Sequence, residues 1–225
     1  MKRNIFITII TIIMITKIEL DNINTYNNIA LKFSDKRRNK WYWIDDYILS
    51  LDKSLKILDI GCGNGRNMEY DDYDFYGIDN CKNFISICKD KKLNVKLSDM
   101  TNIIYEDNCF DSIISIASFH HLSTRERRLK ALAEMKRVLK QTGSVLLSIW
   151  SKNQSHNKKL NFNYGDNYVP WKSKDGNVIS NRYYYIFEIM EIKELLLQYF
   201  KIEKHFWYHG NDIFILKSEK CFLNI

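Results

Sequence analysis

Proline is almost missing: the 225 residues hold a single one, Pro170, beside only eight glycines. Proline-punctuated and collagen-like architectures are excluded on that ground, and glycines that do gather carry information. Cys62, Cys81, Cys88, Cys109 and Cys221 are odd in number and scattered, without a C-x-x-C pair. Neither a disulfide framework nor a zinc site follows, and a reducing compartment, the cytoplasm and also the nucleus, is expected. The apolar run from Ile5 to Ile15, behind Lys2 and Arg3, falls short of the roughly 20 residues a membrane span needs. The residues after it, Ile15-Thr16-Lys17-Ile18, make a poor cleavage site, so no membrane attachment is expected. Residues 1–20 are set apart as an apolar segment, with Met14 an alternative start, and 21–225 are read as one domain.

What is present is a packed protein: 45% of residues are hydrophobic and 14% aromatic, enough for a sheet covered on both faces. The net charge of +7 suits a polyanionic partner. A lysine-rich composition gives the same charge without one, so charge alone does not decide.

From Lys53 onward apolar runs alternate with helical patterns, the signature of parallel βαβ units. Leu55–Ile60 reads as the first strand, followed by a glycine turn and a helix from about Asn64. Phe75–Ile78 is the second strand, ending at Asp79, and Asn83–Lys91 is helical. Val95–Leu97 is a short third strand and Phe110–Ile116 a central fourth. Ser123-Thr-Arg-Glu126 has the form of a capping box opening a helix through Leu129, Leu132 and Leu139, which Gly143 stops. Val145–Trp150 is the fifth strand, residues 151–181 an extended surface loop, Phe187–Phe200 a helix, and 201–207 with 213–217 a closing hairpin. Residues 25–49 read as one or two helices over the sheet. In such sheets ligands sit beyond the carboxyl ends of the strands, where the glycine turn, Asp79, Asp99 and His120-His121 all fall.

The turn is Asp59-Ile60-Gly61-Cys62-Gly63-Asn64-Gly65, with Arg66 at the third glycine of a dinucleotide fingerprint, which weakens a nicotinamide reading. Glycines there let the backbone approach a ligand closely. Asp79 stands where a carboxylate accepts ribose hydroxyls, and Asp99, with the Met100 backbone, where one accepts an adenine amine. Any one of them is commonly a tight turn or a solvated strand end; three at successive strand ends are harder to dismiss. Leu58 to Gly65 resembles motif I of class I methyltransferases. The resemblance implies a Rossmann-like α/β fold, a mostly parallel seven-stranded sheet with an antiparallel terminal hairpin and helices on both faces. It also implies S-adenosylmethionine as cofactor, with Asp59 and the glycines at its methionine end, Asp79 on the ribose and Asp99 on the adenine. Cys62, Asn64, Asn80 and Ser115 complete the implied set.

The fourth strand ends in Ser115-Ile-Ala-Ser-Phe-His-His-Leu-Ser-Thr-Arg-Glu-Arg-Arg128. It lacks both the (N/D)-P-P-(Y/F) turn of nucleic-acid amino-methylating enzymes and the cysteine that C5 methylation of pyrimidines needs. It offers imidazole and guanidinium instead, suited to a carboxylate acceptor, which is already ionised and needs orientation more than a base. This string resembles the eukaryotic tRNA carboxymethyluridine methyltransferase family. Tyr26-x-x-Ile-Ala-x-x-Phe33-Ser-x-x-Arg37-x-x-x-Trp41, Val169-Pro-Trp171 and Arg182-Tyr-Tyr184 agree with it. The resemblance implies esterification of the carboxylate of 5-carboxymethyluridine at the tRNA wobble position. Arg37, His121, Arg125, Arg128 and Arg182 would line the substrate side, Arg37 and Arg125 foremost, with Tyr183 and Trp150 stacking on a base or packing in the core. It further implies a small zinc-binding activator protein as partner, for which the third strand, if at the sheet edge, offers unpaired backbone groups. A methyltransferase of small molecules, and a silent cofactor- or tRNA-binding subunit, are the alternatives.

Overall fold

In the computed structural model, residues 14–155, 157 and 160–218 are described; most of the apolar segment before Met14, and Cys221, lie outside them. Along the chain come α1 (Lys17–Lys36), α2 (Tyr42–Ile48), β1 (Lys56–Ile60), β2 (Asp74–Asp79), α3 (Lys82–Asp90), β3 (Val95–Leu97) and β4 (Phe110–Ile116). A 3-10 turn (Phe119–His121) leads to α4 (Arg125–Val138), β5 (Leu139–Trp150), β6 (Gly165–Lys172), β7 (Val178–Ile186), α5 (Ile189–Leu197), β8 (Lys201–Tyr208) and β9 (Asn211–Lys217).

The main sheet has seven strands in the order β3-β2-β1-β4-β5-β9-β8. β3, β2, β1, β4 and β5 run parallel, β9 runs antiparallel to β5, and β8 runs antiparallel to β9. The central strands are buried nearly throughout, and their side chains alternate between two cores. Leu58, Ile113, Val145 and Leu147 pack with α4 and α5; Ile57, Ile114 and Leu146 pack with α2 and α3. That period of two, apolar on both phases, requires a sheet covered on both faces. No helix among the described residues is long and apolar enough to cross a membrane.

Five local expectations are corrected. No helix follows the glycine turn; residues 61–73 are turns and bends leading straight to β2. α4 is capped by Thr124, whose Oγ accepts from Arg127 N at 3.3 Å, because Ser123 gives its amide and hydroxyl to the buried Glu19 carboxylate at 2.8 and 2.9 Å. Glu126 is exposed, so the capping box is not made. Gly143 does not stop α4: the chain enters β5 at Leu139, and Gly143 lies within that strand, where a Cβ would come within 2.8 Å of Asp111 O. The segment after β5 is not a plain loop but carries a separate two-stranded ribbon, β6–β7. Finally, α1 begins at Lys17, so a boundary at residue 20 would cut the helix.

Candidate active site

A cleft opens at the carboxyl ends of β1, β2 and β4, covered by α1 and the β6–β7 ribbon. The glycine turn forms its floor. Gly61 has φ +76°, and a Cβ there would sit 2.4 Å from Ser118 Cβ. Gly63 has φ +54° with nothing within 4 Å of its missing Cβ, so the space a side chain would fill belongs to the cleft. Asp79 fixes this turn: its Oδ2 accepts from Gly63 N at 2.9 Å and its Oδ1 from Cys81 N at 2.8 Å. Burial pushes its carboxyl up to about 6 against these amide bonds, which pull it down.

Of the residues expected at the cofactor, Gly61, Cys62, Gly63, Asn64, Asp79, Asn80 and Met100 line the cleft. Four do not. Asp59 is sealed behind the turn, 1% exposed, with neither carboxyl oxygen partnered; burial, with Asp79 nearby, lifts it to about 8. Gly65 backs onto Leu93 and Cys88. Ser115 faces inward, its hydroxyl 3.3 Å from Ile60 O and 2.9 Å from Ser118 Oγ; Ser118, which sequence reasoning missed, lines the cleft in its place. Asp99 spends its oxygens on Thr101 and on Arg127 Nη2 at 2.7 Å, leaving the cleft wall to Ser98 and Met100. Arg127 also binds Glu19 of α1, so one buried guanidinium joins the helix over the cleft to the end of β3.

On the acceptor side Arg37, His121 and Arg182 line the cleft; Arg125 and Arg128 do not. Arg125 is exposed where α4 leaves the site. Arg128 is buried but turned away, donating to Leu122 O and Ser123 O, pairing with Glu191 at 3.6 Å and lying 3.4 Å over the Tyr185 ring. The third guanidinium comes instead from Arg66, read above only as evidence against a nicotinamide site. It donates to Asn39 O at 3.3 Å, and burial beside Arg37 lowers it to about 10. Arg37 is lowered by burial and by Arg182. Among the described residues no ion pair engages Arg37, Arg66 or Arg182, and Arg182, 5% exposed, has an unpartnered Nε.

A directed chain of hydrogen bonds stands behind Arg182. His121 Nδ1 lies 2.7 Å from Tyr183 O, which can only accept, so that nitrogen carries the proton and Nε2 is an acceptor. Tyr26 OH, 3.2 Å away, therefore donates to Nε2 and in turn accepts from Tyr184 OH at 3.1 Å. Tyr184 OH accepts from Arg182 Nη1 at 2.9 Å. Burial, with Arg182 nearby, lowers His121 to about 4, so the neutral imidazole this chain needs is the resident form at neutral pH. Both phenol protons are consumed, so within this chain of bonds only the Arg182 guanidinium is left to donate to an anion. Tyr183, one residue out of phase on β7, sends its hydroxyl to Asp166 and does not face the cleft. Trp150 lines it but is stacked flat on Tyr184, centroids 4.2 Å apart, as packing. His120 is fully buried, accepting from Trp150 N. Tyr26 and Tyr184 lay within the family-like strings, and alternation along β7 puts residue 184 on the same face as residue 182.

The sheet order, its antiparallel end and a glycine turn answered by an aspartate on the next strand define a Rossmann-like class I methyltransferase. A methyltransferase domain profile matches residues 58–147. Solved methyltransferases share the fold: one from Clostridium acetobutylicum has a TM-score of 0.66 at 16% identity, covering 88% of this chain and 100% of that one. A putative Haloferax volcanii methyltransferase, solved with the Trm112 methyltransferase activator, has a TM-score of 0.63 at 12% identity, covering 89% and 97%. Among curated relatives, a Xenopus tropicalis tRNA (carboxymethyluridine(34)-5-O)-methyltransferase is 36% identical over 59% of this chain and 21% of its own length. The Arabidopsis thaliana enzyme of that name is 40% identical over 60% of this chain and 34% of its own. The Schizosaccharomyces pombe enzyme is 31% identical over 76% of this chain and 84% of its own length. The chain thus spans a fifth to a third of the first two and most of the third. It belongs to the tRNA (carboxymethyluridine(34)-5-O)-methyltransferase family.

Proposed function

We propose that this protein transfers a methyl group from S-adenosylmethionine to the carboxylate of 5-carboxymethyluridine at position 34 of tRNA, giving the methyl ester. One observation carries the reading: Arg37, Arg66 and Arg182, none of them ion-paired among the described residues, line the cleft that the glycine turn and Asp79 floor. The donor set fits the cofactor, because Gly63 leaves an open cradle and Asp79, a half-buried carboxylate, lines the cleft beside it. When bound, S-adenosylmethionine supplies an electrophilic methyl on a sulfonium.

The protein's own task is then orientation. Asp79, Gly61 and Gly63 would hold the nucleoside and the sulfonium end, and the guanidiniums grip the acceptor anion, in geometry suited to bidentate recognition. The acceptor carboxylate would arrive already ionised, so no residue of this chain would have a proton to remove; the guanidiniums would only have to hold one of its oxygens toward the methyl donor. His121 is therefore a positioning residue that keeps Arg182 aimed through Tyr26 and Tyr184. The ester carries no charge, so the guanidinium grip fails after transfer and the product leaves. A small zinc-binding activator covers the free edge of β3, where Leu97 is 46% exposed. The Haloferax volcanii methyltransferase that shares this fold was solved with the Trm112 methyltransferase activator, which supports looking for a partner of that kind.

The test is incubation of the protein, with and without a co-expressed activator, with wobble-carboxymethylated tRNA and methyl-labelled cofactor. Label should enter the nucleoside in a bond cleaved by mild base. A preparation that binds cofactor yet forms no such ester under either condition overturns the reading.

A further inference from the structure

The cleft opens beneath a collar of cations, and apart from Arg37 and Arg182 the chemistry above leaves them unused. From Lys32 to Lys40 the chain carries five cations, Lys32, Lys36, Arg37, Arg38 and Lys40, against one carboxylate, Asp35. The end of this segment is stitched to the cleft rim: Asn64 Nδ2 donates to Arg37 O at 2.9 Å and Arg66 Nη1 to Asn39 O at 3.3 Å. The β6–β7 ribbon reaches the same place. Around its Trp171 ring stand Lys36 Nζ at 4.9 Å, Arg182 Cζ at 5.2 Å and Arg37 Cζ at 5.8 Å. Beyond Trp171 the ribbon turns, with Lys172 and Lys174 exposed on its tip.

A lysine-rich surface is ordinarily a solvated one, but this collar differs from the opposite end of the sheet. There several cations are neutralised, Lys53 by Asp72, Lys140 by Asp111 at 2.8 Å, Arg137 by Glu134 and Asp107 at 2.7 and 2.9 Å, and those that are not, such as Lys56 and Lys89, face no cleft. At the cleft mouth Lys40 pairs with Asp45 at 3.2 Å and Arg38 has an exposed contact of 3.5 Å with Asp35, but among the described residues no ion pair engages Lys32, Lys36, Lys172 or Lys174. Like charges held together unpaired repel one another, and that cost is repaid when an external polyanion arrives.

The geometry points to this collar as the seat of RNA phosphates on either side of the nucleotide whose base enters the cleft. The end of α1 and the ribbon tip act as two jaws on a looped single strand. The partner class rests on the function proposed above. A loop suits the two jaws because its backbone bends around a splayed nucleotide, which a continuous duplex cannot offer. Each phosphate neutralised releases counterions, which gives the site a measurable signature.

The experiment measures binding of an unmodified anticodon stem-loop RNA to the full chain across a salt series. Three proteins are compared: unsubstituted, Lys36→Ala/Lys174→Ala, and the control Lys56→Ala/Lys89→Ala at the amino ends of the strands. The collar variant should lose about 0.7 of salt slope for each phosphate contact removed and bind about tenfold more weakly near physiological salt. The control should match the unsubstituted protein, and all three should bind S-adenosylmethionine equally. An unchanged slope in the collar variant, an equal loss in the control, or tighter binding to anionic lipid vesicles than to RNA each overturns the assignment. Because the RNA carries no carboxymethyl group, docking is read apart from methyl transfer. Collar-dependent binding without esterification of the modified tRNA would sink the proposed function and leave the collar standing. Esterification with an unaltered KM in the collar variant would do the reverse.

Discussion

Replacing Tyr26 by Phe removes one oxygen while keeping a ring that touches Phe33, Phe84 and His121 at centroid distances of 5.7, 6.0 and 5.3 Å. The lost hydroxyl is the middle link between His121 Nε2 and Tyr184 OH. An unmade buried hydrogen bond costs ~1–3 kcal/mol, and Tyr184 can turn to recover part of that. A net loss of about 1–2 kcal/mol lowers Tm by about 5 °C in a chain of this size. The functional loss is separate. With Tyr184 no longer anchored, Arg182 samples other orientations, and about 1.4 kcal/mol of lost alignment lowers kcat about tenfold. Cofactor affinity should not move, because Asp79 and the glycine turn are untouched. The assay is ester formation at saturating cofactor, with calorimetry of cofactor binding beside it. His121 sets the pH dependence. Its folded value, about 4, lies below the unfolded value near 6.5. The stability that its neutral form supports is therefore complete above about pH 6.5 and is lost as pH falls through 4, by at most about 3 kcal/mol. The rate at saturating cofactor should be flat from about pH 6.5 to 9, since neither the carboxylate nor His121 changes charge there. A rising limb near pH 6.5 that disappears in His121→Gln would make the imidazole a base and refute the orientation argument. So would an unchanged kcat in Tyr26→Phe.

Two further outcomes follow from the placement of single groups. Asp59→Asn should raise the Tm of the cofactor-free protein by a few degrees at pH 8 and by nothing near pH 4, since a buried carboxyl lifted to about 8 loses stability as pH rises toward that value; a lower Tm at every pH would show its charge to be satisfied. Arg66→Ala should raise KM for the modified tRNA about tenfold while Arg125→Ala stays within about twofold, as an exposed position does; the opposite ranking in steady-state kinetics would restore Arg125 to the site.

The sheet was legible in the sequence because its central strands are apolar on both phases: Phe110–Ile116 admits no other placement than the middle of a covered sheet. The glycine turn and Asp79 were legible because their spacing is local. What escaped depends on contacts between distant residues. Ser123 looks like a cap until Glu19, 104 residues away, takes its amide. Arg125 and Arg128 share a helical turn with the cleft's neighbourhood, but which guanidinium enters is set by where α4 leaves the loop, and a sequence holds no record of that direction. Arg66 was hidden for the opposite reason. It follows a turn expected to become a helix, and only the missing helix leaves its side chain at the rim. The β6–β7 ribbon is hard to read because β6 holds residues typical of turns, Gly165, Asp166, Asn167 and Pro170, and its alternation shows only as burial once it is paired with β7.

The capping of α1 has a practical consequence for shortened versions of the chain. Thr16 Oγ1 accepts from Glu19 N at 3.2 Å and lies 2.8 Å from Ser123 Oγ, while Glu19 holds the guanidinium that also braces Asp99. A shortened chain keeps this cap only if the cut falls ahead of Thr16. A cut a few residues later would yield a protein that folds its sheet but arrives with a loosened roof and a poorer grip on its methyl donor.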